Sequence, residues 1–308
     1  IKHQLNKDFK MNIKDLQYYV SLTQLKNFSL VAAQFHVSQP TISAAIRRLE
    51  PALQSQLLIR ANPHLPVALT TTGIQVQRHA NQILLEHQLM CQEVAHTTTD
   101  QLVIGMPPII EINYFPRIAS QLPQALFSQI QPISQGSLAA LKGLKNGQLD
   151  LAVLAYLNEF TDTTIQLTTF DTQSFSIVVP TDDPLATNSQ LQFRSLRHQH
   201  FVALKDNFVH RQAFRQLSHQ NHVRPTIVFE SNEIGSILNM VRQHVGIALL
   251  SNAVQLPAGL QRLPLTDAQA PTFNVGVAYR HSMTFSPTQA DLIQRLTAAF
   301  QSVDWHAY

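Results

Sequence analysis

The chain has 308 residues, of which 44% are hydrophobic and 13% are charged. This composition is ordinary for a globular protein of two or three domains. The single cysteine, Cys91, excludes an internal disulfide framework, a four-cysteine zinc site and a two-cysteine redox switch. No apolar run approaches the roughly 18 residues that cross a bilayer, and residues 1–10 lack the apolar core of a signal peptide. We therefore expect a cytoplasmic protein without a membrane partner.

Positive charge is concentrated near the N-terminus. Residues 1–70 contain eight Lys or Arg and three Asp or Glu, a net charge of +5, whereas the rest of the chain contains fourteen and sixteen, a net charge of −2. A small basic part on a faintly acidic body predicts that the basic part binds a polyanion. We interpret residues 1–10 as an extension that precedes the folded chain.

Three short helices are predicted in residues 11–53, each after a residue that can cap a helix. Asn12, Ser29 and Ser38 precede runs of apolar residues at helical spacing. The third run has a narrow apolar stripe and an opposite face that is small, polar and basic. The stripe consists of Ile42, Ile46, Leu49 and Leu53, and the opposite face of Pro40, Ser43, Ala44 and Arg47. Only a tight turn at Val37 separates the second helix from the third, which is typical of a helix-turn-helix whose second helix lies in the major groove of DNA.

A longer motif connects this region to a known family. Residues 32–50, AAQFHVSQPTISAAIRRLE, resemble the DNA-binding signature of LysR-type transcriptional regulators, and the similarity continues through residues 57–60 and 69–73. The resemblance implies a winged helix-turn-helix over residues 11–72 that binds double-stranded promoter DNA. It implies base contacts from Gln39 and Pro40, and phosphate contacts from serines. The DNA-contacting residues that it implies are Ser29, Ser38, Gln39, Pro40, Thr41, Ser43, Arg47, Arg60 and Thr70.

Some of these positions have a simpler alternative or depart from the family pattern. Ser29 and Ser38 could serve only as helix caps. Ala44 stands where the family often has a basic or polar residue, and Gln54 stands where it usually has glycine. We therefore expect one DNA contact fewer and an altered turn after the third helix.

A long helix is predicted over residues 73–98. Its apolar residues alternate by three and four positions, so that an isolated copy would expose a large apolar strip, and we expect it to pair with a second copy. The resemblance likewise implies a dimerising linker helix, with dimers that assemble into tetramers and two DNA-binding heads about 34 Å apart on an inverted repeat. The predicted seam consists of Val76, Ala80, Ile83, His87, Met90 and Val94.

From residue 99 onward, short apolar strands alternate with helices, which is typical of parallel α/β layers. This part resembles the effector-binding domain of the LysR family, although His244 and Ser251 replace a common glycine and proline. The predicted fold class is therefore α/β, with a winged helix-turn-helix, a linker helix and a two-lobed effector domain like that of periplasmic binding proteins. We expect the first lobe at about 101–169 plus 281–308 and the second at about 170–280.

Two-lobed folds of this kind bind ligands in a cleft at the C-terminal ends of strands, where helix N-termini present free amides. The resemblance implies a small organic acid as effector, and a likeness of the first and third helices to malolactic-type regulators favours a hydroxy-dicarboxylate. Ser137 and Ser231 stand at helix starts and suit a carboxylate, with capping alone as the alternative. The predicted effector-binding residues are Met106, Pro107, Pro108, Gly136, Ser137, Ala155, Tyr156, Phe208, His210, Ser231 and Asn232.

The sequence shows no spacing of acids, bases or nucleophiles that is typical of an enzyme, and we expect no catalytic residue, metal or cofactor. His198 and His200, like His219 and His222, have spacings that suit metal ligands. Without a nearby carboxylate or cysteine pattern, we interpret these four histidines as solvated side chains. One alternative stays open, a cytoplasmic small-molecule binding protein whose basic head has a role other than DNA binding.

Overall fold

A computed structural model of the chain describes residues 11–59, 66–97 and 101–306. The predictions for residues 1–10 and for Arg60 lie outside these described residues. The chain forms two units that divide between Cys91 and Gln92. Among the helices of the described residues, none combines the length and apolar content that crossing a membrane requires.

The first unit contains a helix-turn-helix, a short wing and the start of a long helix. Its elements are α1 (Ile13–Leu25), α2 (Phe28–Gln34), α3 (Gln39–Ala52), β1 (Leu58–Ile59), β2 (Ala68–Leu69) and α4 (Thr71–Thr97), which extends across the division between the units. Asn12 caps α1, as predicted, because its side chain accepts a hydrogen bond from the amide of Lys14. The prediction that Ser29 caps α2 is wrong. Asn27 is the cap and accepts from the amides of Ser29 and Leu30.

The core of the first unit forms around the apolar stripe of α3. Ile42, Ile46 and Leu49 are buried there, which confirms the helical spacing read from the sequence. From α4, the buried Ala80 and the half-buried Val76 pack into the same cluster. Both were predicted to lie in the dimer seam, so the first turns of that seam are already covered within the unit.

The second unit is a two-lobed α/β structure. In chain order, its first part contains β3 (Leu102–Met106), α5 (Pro108–Asn113), α6 (Phe115–Ala119), α7 (Gln124–Phe127), β4 (Ile130–Ser134), α8 (Ser137–Lys145), β5 (Leu151–Leu157) and β6 (Ile165–Pro180). The remainder contains β7 (His200–Leu204), α9 (Val209–Gln220), β8 (Thr226–Ser231), α10 (Ile234–Arg242), β9 (Ala248–Ser251), β10 (Leu260–Pro264), β11 (Thr272–Arg280) and α11 (Pro287–Ser302). The sequence pattern did not predict β10.

The first lobe is built on a mixed rather than wholly parallel sheet. β3 pairs in parallel with β4 and β5, as the alternation of strands and helices predicts, whereas β11 pairs antiparallel with β5 and β6. The pairing with β5 assigns residues 272–280 to the first lobe, although the sequence pattern placed this strand in the second. A strand's partners lie far away in sequence, so its own apolar pattern does not reveal its lobe.

The strand β6 connects the two lobes. Its residues 165–174 pair with β11 in the first lobe, and residues 175–180 pair with β9 and β10 in the second. The predicted lobe boundary at 169/170 therefore falls inside one continuous strand. The parallel pair β7 and β8 completes the second lobe, with α9 and α10 packed against it.

Candidate DNA-binding surface and effector cleft

The front of α3 is accessible, while its back is held in the core. Ser38 is the N-cap residue of α3, and its hydroxyl oxygen lies 2.9 Å from that of Thr41. Gln39 and Pro40 are exposed in the first turn, and Arg47 is exposed two turns later. The helix therefore presents its N-terminal residues outward on a rigid support, the arrangement that a recognition helix needs in a major groove.

An ion pair that sequence reasoning missed fixes α3 against α1. The guanidinium of Arg48 donates two hydrogen bonds to the carboxylate of Asp15, at 2.8 and 2.6 Å. Asp15 is buried, so this bidentate pair anchors the exposed helix at a defined angle. The only signal in the sequence was an acidic residue beside the apolar positions of the first helix.

The hydroxyl groups predicted to hold phosphates have different surroundings. Ser29 is exposed in the first turn of α2, and Ser43 is half-buried on α3. Thr70 donates its hydroxyl hydrogen to the carbonyl of Gln56 at 2.8 Å and accepts from the amide of Gly73 at 2.9 Å. Thr70 thus caps the start of α4, and its hydroxyl hydrogen is already used within the protein.

The turn after α3 keeps a backbone conformation that glycine favours. Gln54 has a φ of 50°, in the left-handed region. Gln54 therefore stands where the family commonly has glycine, and it adopts the left-handed conformation that glycine would adopt there. Strain at Gln54 is the consequence.

Several predicted effector-binding segments meet at the C-terminal ends of β3, β4 and β5. The amide of Gln135 donates to the carbonyl of Met106 at 3.1 Å, and the amide of Ala155 donates to the hydroxyl of Ser137 at 3.0 Å. Gly136 precedes α8 as its N-cap residue. These contacts gather three segments at one edge of the sheet, where the free N-terminus of α8 also lies.

The two lobes touch each other at this edge. A Cβ atom at Gly136 would lie only 2.6 Å from the carbonyl oxygen of Asn207, so the loop before α8 is in direct contact with the loop before α9. Phe208 and His210 are the N-cap and a first-turn residue of α9, and both are buried. The cleft is therefore closed at this point.

Among the polar residues predicted to line the cleft, His210 is the most buried. Its ring packs against Phe175 and Phe273, with ring centroids 5.3 and 5.2 Å away, and its Nε2 accepts from the amide of Ser251 at 3.2 Å. Burial lowers the pKa of His210 to about 3, so the imidazole is neutral at physiological pH. Sequence reasoning did not identify Ser251 as the partner of His210. The family commonly has proline at this position, and proline has no N–H to donate, so its replacement by serine was the available signal.

The remaining predicted cleft residues range from buried to exposed. Ser231 is half-buried at the end of β8, and its hydroxyl accepts from the amide of Glu233 at 3.0 Å. Asn232 is exposed, and the hydroxyl of Tyr156 lies 2.7 Å from that of Thr169. Pro107 is the N-cap residue of α5, and Pro108 is half-buried at its start. In the described part of the chain, no group of three or more His, Cys, Asp or Glu side chains is placed to hold a metal ion.

Two family models together match most of the chain. Residues 13–74 match the bacterial regulatory helix-turn-helix protein of the lysR family, and residues 95–301 match the LysR substrate binding domain. The chain belongs to the LysR family. It is a LysR-type transcriptional regulator with a helix-turn-helix and an effector-binding domain, which confirms the family predicted from residues 32–50.

Two named relatives and one solved structure are similar to this LysR-type regulator over large parts of the chain. The malolactic fermentation system transcriptional activator of Lactococcus lactis is 27% identical over 289 residues, covering 93% of this chain and 98% of the relative. The hydrogen peroxide-inducible genes activator of Haemophilus influenzae is 27% identical over 279 residues, covering 88% and 91%. The effector-binding domain of QuiR, solved in complex with shikimate, has a TM-score of 0.54 at 16% identity and covers 64% of this chain and 97% of its own.

Proposed function

We propose that this regulator binds an inverted-repeat operator through α3 and that a small organic acid in the interlobe cleft changes operator affinity or DNA bending. The observation that carries the proposal is α3 itself, whose buried back is anchored to α1 while Gln39, Pro40 and Arg47 face outward. This role requires a location where promoter DNA is present, the bacterial cytoplasm. The alternative function, small-molecule binding without a DNA role, leaves these exposed side chains without a purpose.

Each exposed residue of α3 suits a different part of a DNA duplex. The amide of Gln39 can pair with an adenine edge, and the ring of Pro40 can contact a thymine methyl group. Arg47, further along the same face, can reach a phosphate. Ser29, Ser38, Thr41 and Ser43 surround these residues with hydroxyl groups, and Ser29 and Ser38 are exposed.

Homodimer formation through α4 is supported by exposed apolar side chains on this helix. Ile83, Leu85, Met90 and Val94 are each at least 38% exposed. A second copy would remove this apolar surface from water and place two recognition helices on one operator. The double substitution Ile83→Glu with Met90→Glu should leave a monomer in light scattering, and Gln82→Glu, an exposed change on the same helix, should leave the assembly intact.

An organic acid as effector is supported by the name of one relative and the ligand of one structural neighbour. Malate and lactate, the acids of malolactic fermentation, are hydroxy acids, as is shikimate. In this chain, the N-termini of α8 and α9 and the exposed Lys205 lie by the cleft and would attract a carboxylate. Because Gly136 touches Asn207, we infer that the effector enters when the lobes separate.

A thiol-based response to peroxide has little support in this chain. The name of one relative refers to hydrogen peroxide. The only cysteine here is Cys91, which is exposed on α4 and lies outside the effector-binding unit. An organic acid in the cleft is therefore the better-supported signal.

The proposal is tested by fluorescence anisotropy with labelled DNA from upstream of the protein's own gene. We expect Arg47→Ala to weaken binding to all sequences, and Gln39→Ala to relax discrimination at one base pair by about 1–3 kcal/mol. Arg78→Ala removes an exposed positive charge from α4 and serves as the matched control. Unchanged affinity and specificity in both α3 variants would contradict the proposed reading surface.

The effector arm of the test repeats these titrations with malate, lactate, citrate and shikimate. We expect one acid to change operator affinity in the wild type and to lose its effect in Ser137→Val, which removes the hydroxyl at the start of α8. Equal DNA binding with and without every acid would contradict the organic-acid assignment while leaving the DNA-binding assignment intact.

A further inference from the structure

A cavity separate from the effector cleft lies beside β6, close to where this strand passes from the first lobe to the second. It has a volume of about 290 Å³ and shares no lining residue with the predicted cleft. The first lobe contributes α5, α6 and the residues after α11, and the second lobe contributes the segment after β9 and the strand β10. The lining residues that matter below are Arg117, Asp171, Gln173, Asn252, Arg262 and Trp305.

Arg262 is a half-buried cation on the second-lobe wall. Its guanidinium donates to the backbone carbonyls of Asn252 and Val254. Among the residues that the structure describes, no carboxylate forms an ion pair with it. Burial lowers the pKa of Arg262, because a charge is costly in a partly desolvated site. An anion in the cavity would offset this cost.

The acid in the cavity, Asp171, is already committed to other groups. Its carboxylate accepts from the hydroxyl of Tyr114 at 2.6 Å, from the amide of Thr172 at 2.8 Å and from the side chain of Gln173 at 3.1 Å. Asp171 is buried within this network, and the proton on Tyr114 is firmly held, because burial and the nearby carboxylate raise the pKa of that phenol. Its Oδ1 also lies 3.7 Å from Nε2 of His306, and no ion pair joins it to Arg262 among the described residues.

A second cation stands on the first-lobe wall. Arg117 lies over the indole ring of Trp305, 4.7 Å from its centroid, and donates to the carbonyl of Asp304 at 3.0 Å. Arginine has five N–H donors in a planar fork that fits carboxylates and phosphates. The amides of Gln173 and Asn252 add further polar groups. The cavity therefore carries cations on both lobes and donors suited to an oxyanion.

We propose that this cavity is a second ligand site, which takes a small carboxylate or phosphate between Arg262 of the second lobe and Arg117 of the first. Its size admits a molecule of a few carbon atoms rather than a nucleotide or a peptide. Because the two arginines belong to different lobes, the bound anion stabilises the present arrangement of the lobes. The arrangement of the two lobes would then depend on the concentration of the free anion.

Trp305 makes the site directly observable, because it lines the cavity and is the only tryptophan in the chain. The full-length protein is titrated with malate, citrate, phosphate and sulfate, with glycerol as the uncharged control, and tryptophan emission is followed. Isothermal titration calorimetry repeats each titration, so that binding without a spectral change is also detected. The affinities for malate and citrate are compared with those for phosphate and sulfate. This comparison shows whether the site prefers carboxylates or inorganic oxyanions.

Variants separate this site from the cleft. Arg262→Gln should lower the affinity for the anion about tenfold or more, since it removes a charge-assisted donor. Arg262→Lys keeps the charge and should retain weaker, measurable binding. Arg194→Gln, an exposed change in the same lobe, should bind the anion as the wild type does, and Ser231→Ala, at the cleft, should leave the change in Trp305 emission unaltered. Circular dichroism confirms that each variant is folded.

The proposal is overturned if neither emission nor heat detects any of the four anions at millimolar concentration, or if Arg262→Gln binds them as tightly as the wild type. It is also overturned if Ser231→Ala loses the signal and Arg262→Gln retains it, because the anion would then occupy the cleft. Failure of the effector to change DNA binding would leave all these titrations unaffected.

Discussion

Each of the two units contains an ion pair with one partner almost wholly buried, but the sign of the buried charge is reversed. In the DNA-binding unit the side chain of Asp15 is 4% exposed and that of Arg48 57%. In the effector-binding unit the side chain of Arg280 is 5% exposed and that of Glu93 32%. The first pair joins α1 to α3, and the second joins the end of α4 to β11.

The reversal matters because acids and bases differ in how they tolerate the loss of a partner. A buried carboxylate without its cation can become neutral by taking up a proton. A buried guanidinium without its anion stays charged at every physiological pH. The effector-binding unit should therefore depend more strongly on its ion pair than the DNA-binding unit does.

The largest effect is expected from Glu93→Ala. Arg280 donates from Nη2 to Glu93 at 2.8 Å, and its Nε and Nη1 are buried without a partner among the described residues. Removing Glu93 should lower the free energy of unfolding of the second unit by about 3–5 kcal/mol, as for other broken buried pairs. Urea unfolding followed by Trp305 emission measures this unit. Asp291→Ala breaks the exposed pair with Arg295 and should change the midpoint little, so equal effects would contradict the argument.

The second prediction concerns acid and His210. The pKa of about 3 in the folded chain lies below the ordinary value of 6.5, so the unfolded chain binds one more proton between these two values. The stabilisation from neutral His210 is complete above pH 6.5 and is lost as the pH falls, by up to about 1.4 kcal/mol per unit. His210→Gln should flatten this slope in urea unfolding at pH 7, 6 and 5. The exposed control His219→Gln should keep the slope of the wild type.

A third, smaller effect is expected from Arg48→Ala in the first unit. Because Arg48 is more than half exposed, we expect a loss of about 1–3 kcal/mol at pH 7, less than for Glu93→Ala. Far-UV circular dichroism follows the helices of both units, and Trp305 emission separates the unfolding of the second unit from it. A loss from Arg48→Ala that equals or exceeds the loss from Glu93→Ala would reverse the proposed distinction.

These ion pairs also mark the limit of sequence prediction. The apolar stripe of α3, its accessible front and the α/β character of the second unit follow from local spacing, because an amphipathic helix or a buried strand repeats its pattern over a few residues. Asp15 and Arg48 are 33 positions apart, and Glu93 and Arg280 are 187 apart. No local pattern predicts that such residues meet.

The same reason explains the mixed outcome for the effector-binding unit. Residues at strand ends, such as Met106 and Ala155, could be named because parallel strands end at one edge of a sheet. The lobe of β11 depended on its pairing with β5, and the partner of His210 depended on β9 folding beside α9. The cavity with Arg262 and Trp305 joins several segments distant in sequence, which the apolar pattern does not relate to each other.

The smallest predicted effects concern one turn in each unit. Gln54 in the first unit and His244 in the second have left-handed φ values of 50° and 55°, at positions where the family commonly has glycine. Glycine relieves the strain but gains entropy in the unfolded chain, so Gln54→Gly should stabilise its unit by about 0.5–1 kcal/mol. His244→Gly should gain less, because it also removes the exposed contact of His244 with Asp182 at 3.3 Å. Thermal unfolding of both variants measures the difference, and Gln54→Ala, which keeps a Cβ at the same φ, should give no comparable gain.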